Sequence, residues 1–257
     1  MNILFLGDVF AKSGRNAVVE HIPLLKAKFN CDLVIVNGEN AAHGKGITEK
    51  IYHSLMDAGA DVITLGNHAF SKSEIRESLG TCTSLVFPKN IEHEGTVPYY
   101  VIKEVNGKKI AVVNLLGQVF MDCASASPLE VMEDLLDEIV ADIIIVDLHA
   151  EATSEKELFL RVFAKDVTAV IGTHTHVQTA DEKIYEGCAF ISDVGMCGPY
   201  DSIIGRDAEE IIGRIVKKEK THFTPGEGKA IICGVVIEID ESTNRAVTIT
   251  RIQERPE

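Results

Sequence analysis

Five short apolar runs each stop at a cluster of small, polar and metal-ligating residues, and this repetition constrains the fold more than any other feature of the chain. Asn2 to Leu6 leads into Gly7-Asp8, Leu33 to Val36 into Asn37-Gly38-Glu39-Asn40, and Val62 to Leu65 into Gly66-Asn67-His68. Ile143 to Val146 leads to His149, and Val167 to Ile171 into Gly172-Thr173-His174-Thr175-His176. The runs have strand length and alternate with longer stretches of helical period, the pattern of an α/β layered fold. In layered folds the C-terminal ends of strands collect on one edge of a sheet, so five reactive ends can meet at one site.

With 257 residues, 46% apolar and 25% charged, the chain can bury a sizeable core without disulfides, and residues 1–257 are taken as a single domain. A formal net charge of -14 repels polyanions and argues against a surface for duplex nucleic acid, while leaving small phosphorylated ligands open. The six cysteines contain no C-x-x-C pair, which fits a reducing cytoplasm. The N-terminus lacks a basic region and its apolar stretch is too short for a secretory signal. Nowhere do ~18 apolar residues run together, so no membrane-spanning helix is expected.

Between the strand ends, Val18, Ile22, Leu25 and Phe29 form a helical stripe that Pro23 should kink or split. Thr48 is placed to cap a helix carrying Ile51, Tyr52, Leu55 and Met56, with Gly59 as its stop. Ser127-Pro128-Leu129-Glu130 and Ser154-Glu155-Lys156-Glu157 both have the form of capping boxes. Tyr99 to Val105 and Lys108 to Leu115 flank Asn106-Gly107, a tight hairpin turn. Ala230 to Ile239 and Ala246 to Ile252 form a second antiparallel pair, so the sheet is expected to be mixed. The Gly-rich, polar stretch from Gly195 to Asp207 is read as a functional loop.

The strand ends carry the carboxylates Asp8 and Glu39, the amides Asn40 and Asn67, and the imidazoles His68, His149, His174 and His176. Oxygen and imidazole ligands without thiolate suit first-row divalent ions such as Mn, Fe, Co and Zn. Leaving His68 aside, seven groups could hold two ions about 3.5–4 Å apart if one carboxylate bridges, with Glu39 the candidate bridge. In a strand-end loop, His174 and His176 can each reach a different ion. Taken singly, Asp8 could cap the following helix, and Glu39 and His149 could be structural. Their joint placement favours a site, because unpaired buried carboxylates and imidazoles are costly. His21, His53, His93 and His222 lie away from the strand ends and are read as surface or structural. Ala41-Ala42-His43-Gly44-Lys45-Gly46 could either offer backbone N–H groups and Lys45 to a phosphate or form a plain turn.

The ordered series Gly7-Asp8, Asn37-Gly38-Glu39-Asn40, Gly66-Asn67-His68, His149 and Gly172-Thr173-His174-Thr175-His176 resembles the motifs of the calcineurin-like metallophosphoesterases. The stretches Asn37 to Ala42 and Ser192-Asp193-Val194-Gly195-Met196-Cys197-Gly198-Pro199-Tyr200-Asp201 resemble more narrowly the bacterial YmdB-like branch, 2′,3′-cyclic-nucleotide phosphodiesterases. The likeness implies a four-layer α-β-β-α sandwich of mixed sheets. It implies two divalent transition-metal ions per chain, iron or manganese, with zinc also compatible. Asp8, Glu39 and His176, with Asn40 nearby, would serve one ion, and Glu39, Asn67, His149 and His174 the other. Gly195, Met196 and Tyr200 would form a substrate wall. An assembly of several copies is compatible with the likeness. Phe10 stands where many relatives carry the His of Asp-x-His, which leaves Asn40 as the candidate replacement. Ala69 and Ser71 stand where relatives carry acidic residues near His68, removing a carboxylate that would fix its ring.

These features lead to the expectation of an in-line attack on phosphorus by a metal-bridging hydroxide, with His68 donating a proton to the departing ribose oxygen. Two alternatives stay open: a phosphomonoesterase or nucleotidase using the same ligands, and a metal-bound regulator that senses a nucleotide.

Overall fold

The computed structural model describes residues 1–93 and 95–256. The first part of the chain forms β1 (Asn2–Leu6), β2 (Asp8–Val9), α1 (Ala11–Phe29), β3 (Leu33–Asn37), α2 (Glu49–Asp57), β4 (Val62–Thr64) and β5 (Leu85–Val86). Then come β6 (Tyr100–Val105), β7 (Lys108–Leu116), α3 (Pro128–Glu138), β8 (Ile143–His149), α4 (Thr153–Phe163) and β9 (Ala169–Thr173). The last part supplies β10 (Lys183–Tyr185), β11 (Cys188–Ile191), β12 (Met196–Pro199), α5 (Ala208–Ile215), β13 (Ala230–Asp240) and β14 (Arg245–Glu254).

One sheet runs β2-β12-β13-β1-β3-β4-β5, with β14 also paired to β13; the other runs β10-β11-β9-β8-β7-β6. Both are mixed. β1, β3, β4 and β5 are parallel neighbours, as are β7, β8, β9 and β11. The expected hairpins appear as β6–β7 and β13–β14, both antiparallel.

Side-chain alternation along the strands builds the layers. Ile3, Phe5, Leu33, Ile35 and Val62 of the first sheet share one buried cluster with Ile110, Val112, Ile143, Ile145 and Ile171 of the second. The intervening residues Leu4, Leu6, Val34, Val36 and Ile63 cluster with Val18, Ile22 and Leu25 of α1 and with Tyr52 and Leu55 of α2. In the second sheet, Val113, Val146 and Leu148 are buried with Met132 and Leu135 of α3 and Phe159, Leu160 and Phe163 of α4. The result is the four-layer α-β-β-α sandwich.

At the C-terminal ends of the parallel strands the register facing the partner sheet changes from apolar to polar. Ile35 gives way to Asn37, Val62 to Thr64, Val112 to Asn114, Ile145 to Asp147 and Ile171 to Thr173. Asn37 Nδ2 donates across the sandwich to Asp147 Oδ2 at 2.9 Å, and the Thr64 and Thr173 hydroxyls donate to the same carboxylate. Asn114 Nδ2 donates to the Asp147 backbone oxygen at 3.2 Å, while its Oδ1 accepts the Leu65 N–H. A buried carboxylate with this many donors is satisfied, so the core ends in a hydrogen-bonded layer on which the site is built.

Local signals at helix ends held in most places. Thr48 Oγ1 accepts the Ile51 N–H and Ser127 Oγ accepts the Leu129 N–H, while Gly59 takes φ +109° just past α2. Two expectations need correction. α1 is not split at Pro23 but runs as one helix from Ala11 to Phe29, its apolar face held against the sheet. The box beginning at Ser154 does not cap a helix, because α4 already starts at Thr153 with Ala152 as its N-cap. Glu155 instead accepts the backbone N–H groups of Gln118 and Val119, at 2.8 and 3.2 Å, and Glu157 pairs with Lys183. Partners from other parts of the chain outcompete the local cap.

Phe5 is fully buried between the sheets. Phe5→Ala should therefore lower the unfolding free energy by about 3–5 kcal/mol. Urea unfolding would show this as a lower midpoint at an unchanged slope, and an unchanged midpoint would contradict the proposed packing.

Candidate metal centre

The five strand ends do converge. Asp8, Glu39, Asn40 and His149 are buried, Asn67 is half-buried beside them, and His68, His174 and His176 stand at the edge of a cleft above them. His149 Nε2 has three neighbours: Asn67 Oδ1 at 3.0 Å, His174 Nδ1 at 3.0 Å and Glu39 Oε1 at 3.2 Å. Ligand atoms of Glu39, His149 and His174 all lie within 4.8 Å of one another.

The hydrogen-bond partners on the far sides of the imidazoles decide which lone pairs face inward. Thr173 donates its hydroxyl to Asp147 at 2.7 Å, so toward His149 Nδ1, at 2.8 Å, it can only accept. That commits the His149 Nδ1 proton outward and leaves Nε2 facing the cluster. His174 Nε2 lies 3.1 Å from Glu151 Oε2, which leaves its Nδ1 facing inward. His176 Nδ1 donates to the Ile204 carbonyl at 2.9 Å, which leaves its Nε2 beside Asn40 Nδ2 at 3.0 Å. An imidazole whose outer N–H is held by an acceptor is the usual arrangement of a metal-ligating histidine.

Asp8 completes the second side of the cluster. Its Oδ2 accepts the His174 N–H at 3.2 Å, and Oδ1 is buried without a hydrogen-bond partner among the described residues, 4.0 Å from both His149 Nδ1 and His176 Nε2. It does not cap α1, whose N-cap is Phe10. Glu39 stands between the two groups: Oε1 accepts from Asn40 Nδ2 at 2.9 Å and Oε2 accepts the His68 N–H at 3.1 Å. Phe10 packs its ring edge-on against His176, with centroids 5.6 Å apart. An orphaned carboxylate oxygen and a knot of facing lone pairs fit a cation-binding site, with oxygen and nitrogen donors suited to a first-row divalent ion.

The His174-Thr175-His176 loop is held under strain. His174 has φ +101° and His176 φ +67°, in the left-handed region. A fully buried ion pair fixes it: Lys156 Nζ donates to the Thr173 carbonyl at 2.9 Å and to Asp193 Oδ2 at 3.2 Å, and that carboxylate also accepts the Thr175 N–H at 2.9 Å. The twist sends the two imidazoles apart, one toward Glu39 and His149, the other toward Asn40 and Asp8.

Thr173, Asp147, Lys156, Asp193, Glu151 and Ile204 hold these groups, and no role was read for them in the sequence. The signals available were the placement of Thr173 and Glu151 beside predicted ligands, of Asp193 in the stretch that carries the family resemblance, and of Ile204 in the loop read as functional. The expected substrate wall is placed differently. Gly195 lies behind Asp8, its carbonyl accepting the Asp8 N–H at 3.2 Å, and Met196 pairs with Asp8 in the β-ladder. Tyr200 is exposed and bonded through its N–H to Lys229. The cleft is instead lined by Phe10, Lys45, His68, Glu151, Ile204 and Phe223, together with His174, His176 and two arginines.

Burial raises the Asp8 carboxyl to about 6, against the pull of His176 and His149. Burial alone would depress His149, but Glu39, Asp8 and Asp147 outweigh it and raise the ring to about 9. For Glu39, burial is likewise outweighed by His149 and His68, which hold the carboxyl well below the usual range. Burial and His149 push His174 down to about 3. Without a cation, a proton shared by His149 and Glu39 relieves the crowded lone pairs.

Two tests follow. Binding a divalent cation must displace the His149 proton, so about one proton per chain should be released near pH 7, and apparent affinity should rise about tenfold per pH unit up to about 9. Calorimetry of Mn²⁺ binding in buffers of different ionisation enthalpy measures both, and a pH-independent affinity would contradict the assignment. A Cβ on Gly66 would lie 2.2 Å from Glu39 Oε2 and 2.4 Å from His149 Nε2. Gly66→Ala should therefore keep its circular dichroism spectrum and lose metal binding.

Residues 4–252 match the protein family described as YmdB-like protein. The chain is 47% identical over 259 residues to a 2′,3′-cyclic-nucleotide 2′-phosphodiesterase of Bacillus subtilis (strain 168), covering 98% of this chain and 96% of that protein. The crystal structure of a phosphatase from Mycoplasma pneumoniae superposes with a TM-score of 0.91 at 38% identity, covering 99% of this chain and 93% of the other. A 5′-nucleotidase-like structure from Staphylococcus aureus shares the fold, with a TM-score of 0.62 at 17% identity over 54% of its length. By sequence and by fold, the chain belongs to the YmdB-like protein family.

Proposed function

We propose that this protein is a metal-dependent phosphodiesterase that opens small 2′,3′-cyclic nucleotides, using two divalent cations, iron or manganese. The observation that carries this is the set of three inward-facing imidazole nitrogens, each with its other nitrogen tied to an acceptor, around Glu39 and the unpartnered Asp8 Oδ1. Glu39, Asn67, His149 and His174 would hold one cation, and Asp8, Glu39, Asn40 and His176 the other. Bound there, the pair of cations would supply an activated water nucleophile and neutralise charge on the phosphoryl oxygens. The name of the Bacillus subtilis relative supports the choice of a cyclic diester.

The chain's own residues then act on proton position. His68 lines the cleft, and its backbone N–H is fixed on Glu39 Oε2, which places the ring beside the cluster. Burial lowers its ring below the ordinary histidine value, with Glu39 opposing, so the free protein holds it neutral near neutral pH. An anionic phosphodiester entering the cleft favours the protonated ring. Protonated His68 can then give its proton to the ribose oxygen that leaves phosphorus, a contribution worth roughly 10²–10⁴-fold. The acid form is the active one, so kcat should fall as pH rises through the His68 value in the substrate complex.

The same ligands suit a phosphomonoester, and the 38%-identical Mycoplasma pneumoniae phosphatase favours keeping that second reaction in view. An assay of Mn²⁺- or Fe²⁺-loaded protein on a 2′,3′-cyclic nucleotide beside a nucleoside monophosphate should show faster turnover of the cyclic diester. His68→Ala should lose about 10²–10⁴-fold in kcat at unchanged metal content, and should lose the alkaline limb of the pH profile. Full turnover in that variant would remove His68 from the reaction.

A further inference from the structure

The cleft above the candidate metal centre encloses about 440 Å³, within the range of roughly 300–1,000 Å³ common for small-molecule sites. Its walls differ in charge. Glu151, held on His174 Nε2, presents a carboxylate on one side. Lys45, Arg206, Arg214 and the Phe223 ring also line it. Arg206 is already spent on Glu210, with three contacts of 2.6–3.1 Å. Among the described residues, no carboxylate lies within ion-pair distance of Lys45 or Arg214. Lys45 Nζ sits 5.6 Å from the Phe223 ring centroid. The ring lies so close over Gly44 that an added Cβ there would come within 2.7 Å of it, which keeps the neighbouring Lys45 at the cleft.

Two cations with no carboxylate in direct ion-pair contact line one cleft in a chain of net charge -14. A nucleoside 2′,3′-cyclic phosphate carries one phosphate, and the metal centre takes it. Lys45 would then face no anion, and Arg214 only the Glu210 carboxylate that Arg206 already holds, while Glu151 repels anions from its own wall.

Building on the phosphodiesterase assignment, we infer that Lys45 and Arg214 form a second anion subsite for a phosphate on the 5′ oxygen of the nucleotide whose cyclic phosphate is opened. The preferred substrates are therefore ribonucleotides carrying both groups. A terminal 5′-phosphate and the internucleotide diester of a short oligoribonucleotide with a 2′,3′-cyclic end share this chemistry.

The test compares kcat/KM, at low salt with Mn²⁺, for three substrates: a nucleoside 2′,3′-cyclic phosphate, its 5′-phosphorylated form, and a dinucleotide with a cyclic end. At least one of the last two should be favoured about tenfold, less at high salt. Which one gains identifies the source of the second phosphate. In the Lys45→Ala/Arg214→Ala protein the ratio should collapse to near one. Equal rates in the wild type, or a preference that survives the double substitution, would overturn the subsite. Calorimetric binding of adenosine 5′-monophosphate against adenosine gives a readout independent of turnover. If no cyclic substrate is cleaved but the nucleotide binds in a salt-sensitive, Lys45- and Arg214-dependent way, the subsite stands and the phosphodiesterase assignment falls. If it binds no better than adenosine, the subsite falls.

Discussion

Lone pairs of Glu39, Asn67 and His174 crowd within about 3 Å of the buried Nε2 of His149, and this repulsion must be relieved by positive charge. A proton serves in the free protein, which is why His149 is raised to about 9 although burial alone would depress it. A divalent cation would serve the same need more fully, because it would draw on every facing lone pair at once. The rest of the molecule keeps these groups from rotating away from one another.

Rigidity comes from the sandwich itself. The strand register that buries Ile35 and Ile145 between the sheets carries on, two residues later, to Asn37 and Asp147, which bond across the gap. From Asp147 the constraint passes through the Thr173 hydroxyl to His149 Nδ1. Lys156 and Asp193, buried together, fix the backbone that carries His174 and His176 in its left-handed conformation. A buried ion pair of this kind contributes less to net stability than to the definition of one geometry, since its desolvation offsets most of its attraction.

The same molecule combines a strongly negative overall charge with two cations at the mouth of its site that have no carboxylate in direct contact. The acidic surface disfavours long polyanions, whereas Lys45 and Arg214 act over a few ångströms on a ligand already inside the cleft. At ordinary ionic strength the screening length is about 8–10 Å, so the local cations and the global charge act on different scales.

Much of the fold and the meeting of the polar strand ends was legible in the sequence because both are written in local patterns. Alternation of apolar residues set the strands, and a polar cluster after each strand located Asp8, Glu39, Asn67, His149, His174 and His176 at one edge. The family resemblance supplied the layering and the expectation that these residues divide into two ligand sets. Where a competing tertiary partner intervenes, local signals fail: Pro23 does not split α1, and Glu157, the expected capping partner of Ser154, pairs with Lys183 instead. Gly195 and Met196, whose residues resemble a substrate wall, turn out to support Asp8 from behind. Only the tertiary structure decided the imidazole orientations, through Thr173, Glu151 and Ile204, and the composition of the cleft, through Lys45, Arg214 and Phe223. These depend on contacts between segments far apart in the chain, and sequence spacing carries no record of which side of a ring a distant acceptor will reach.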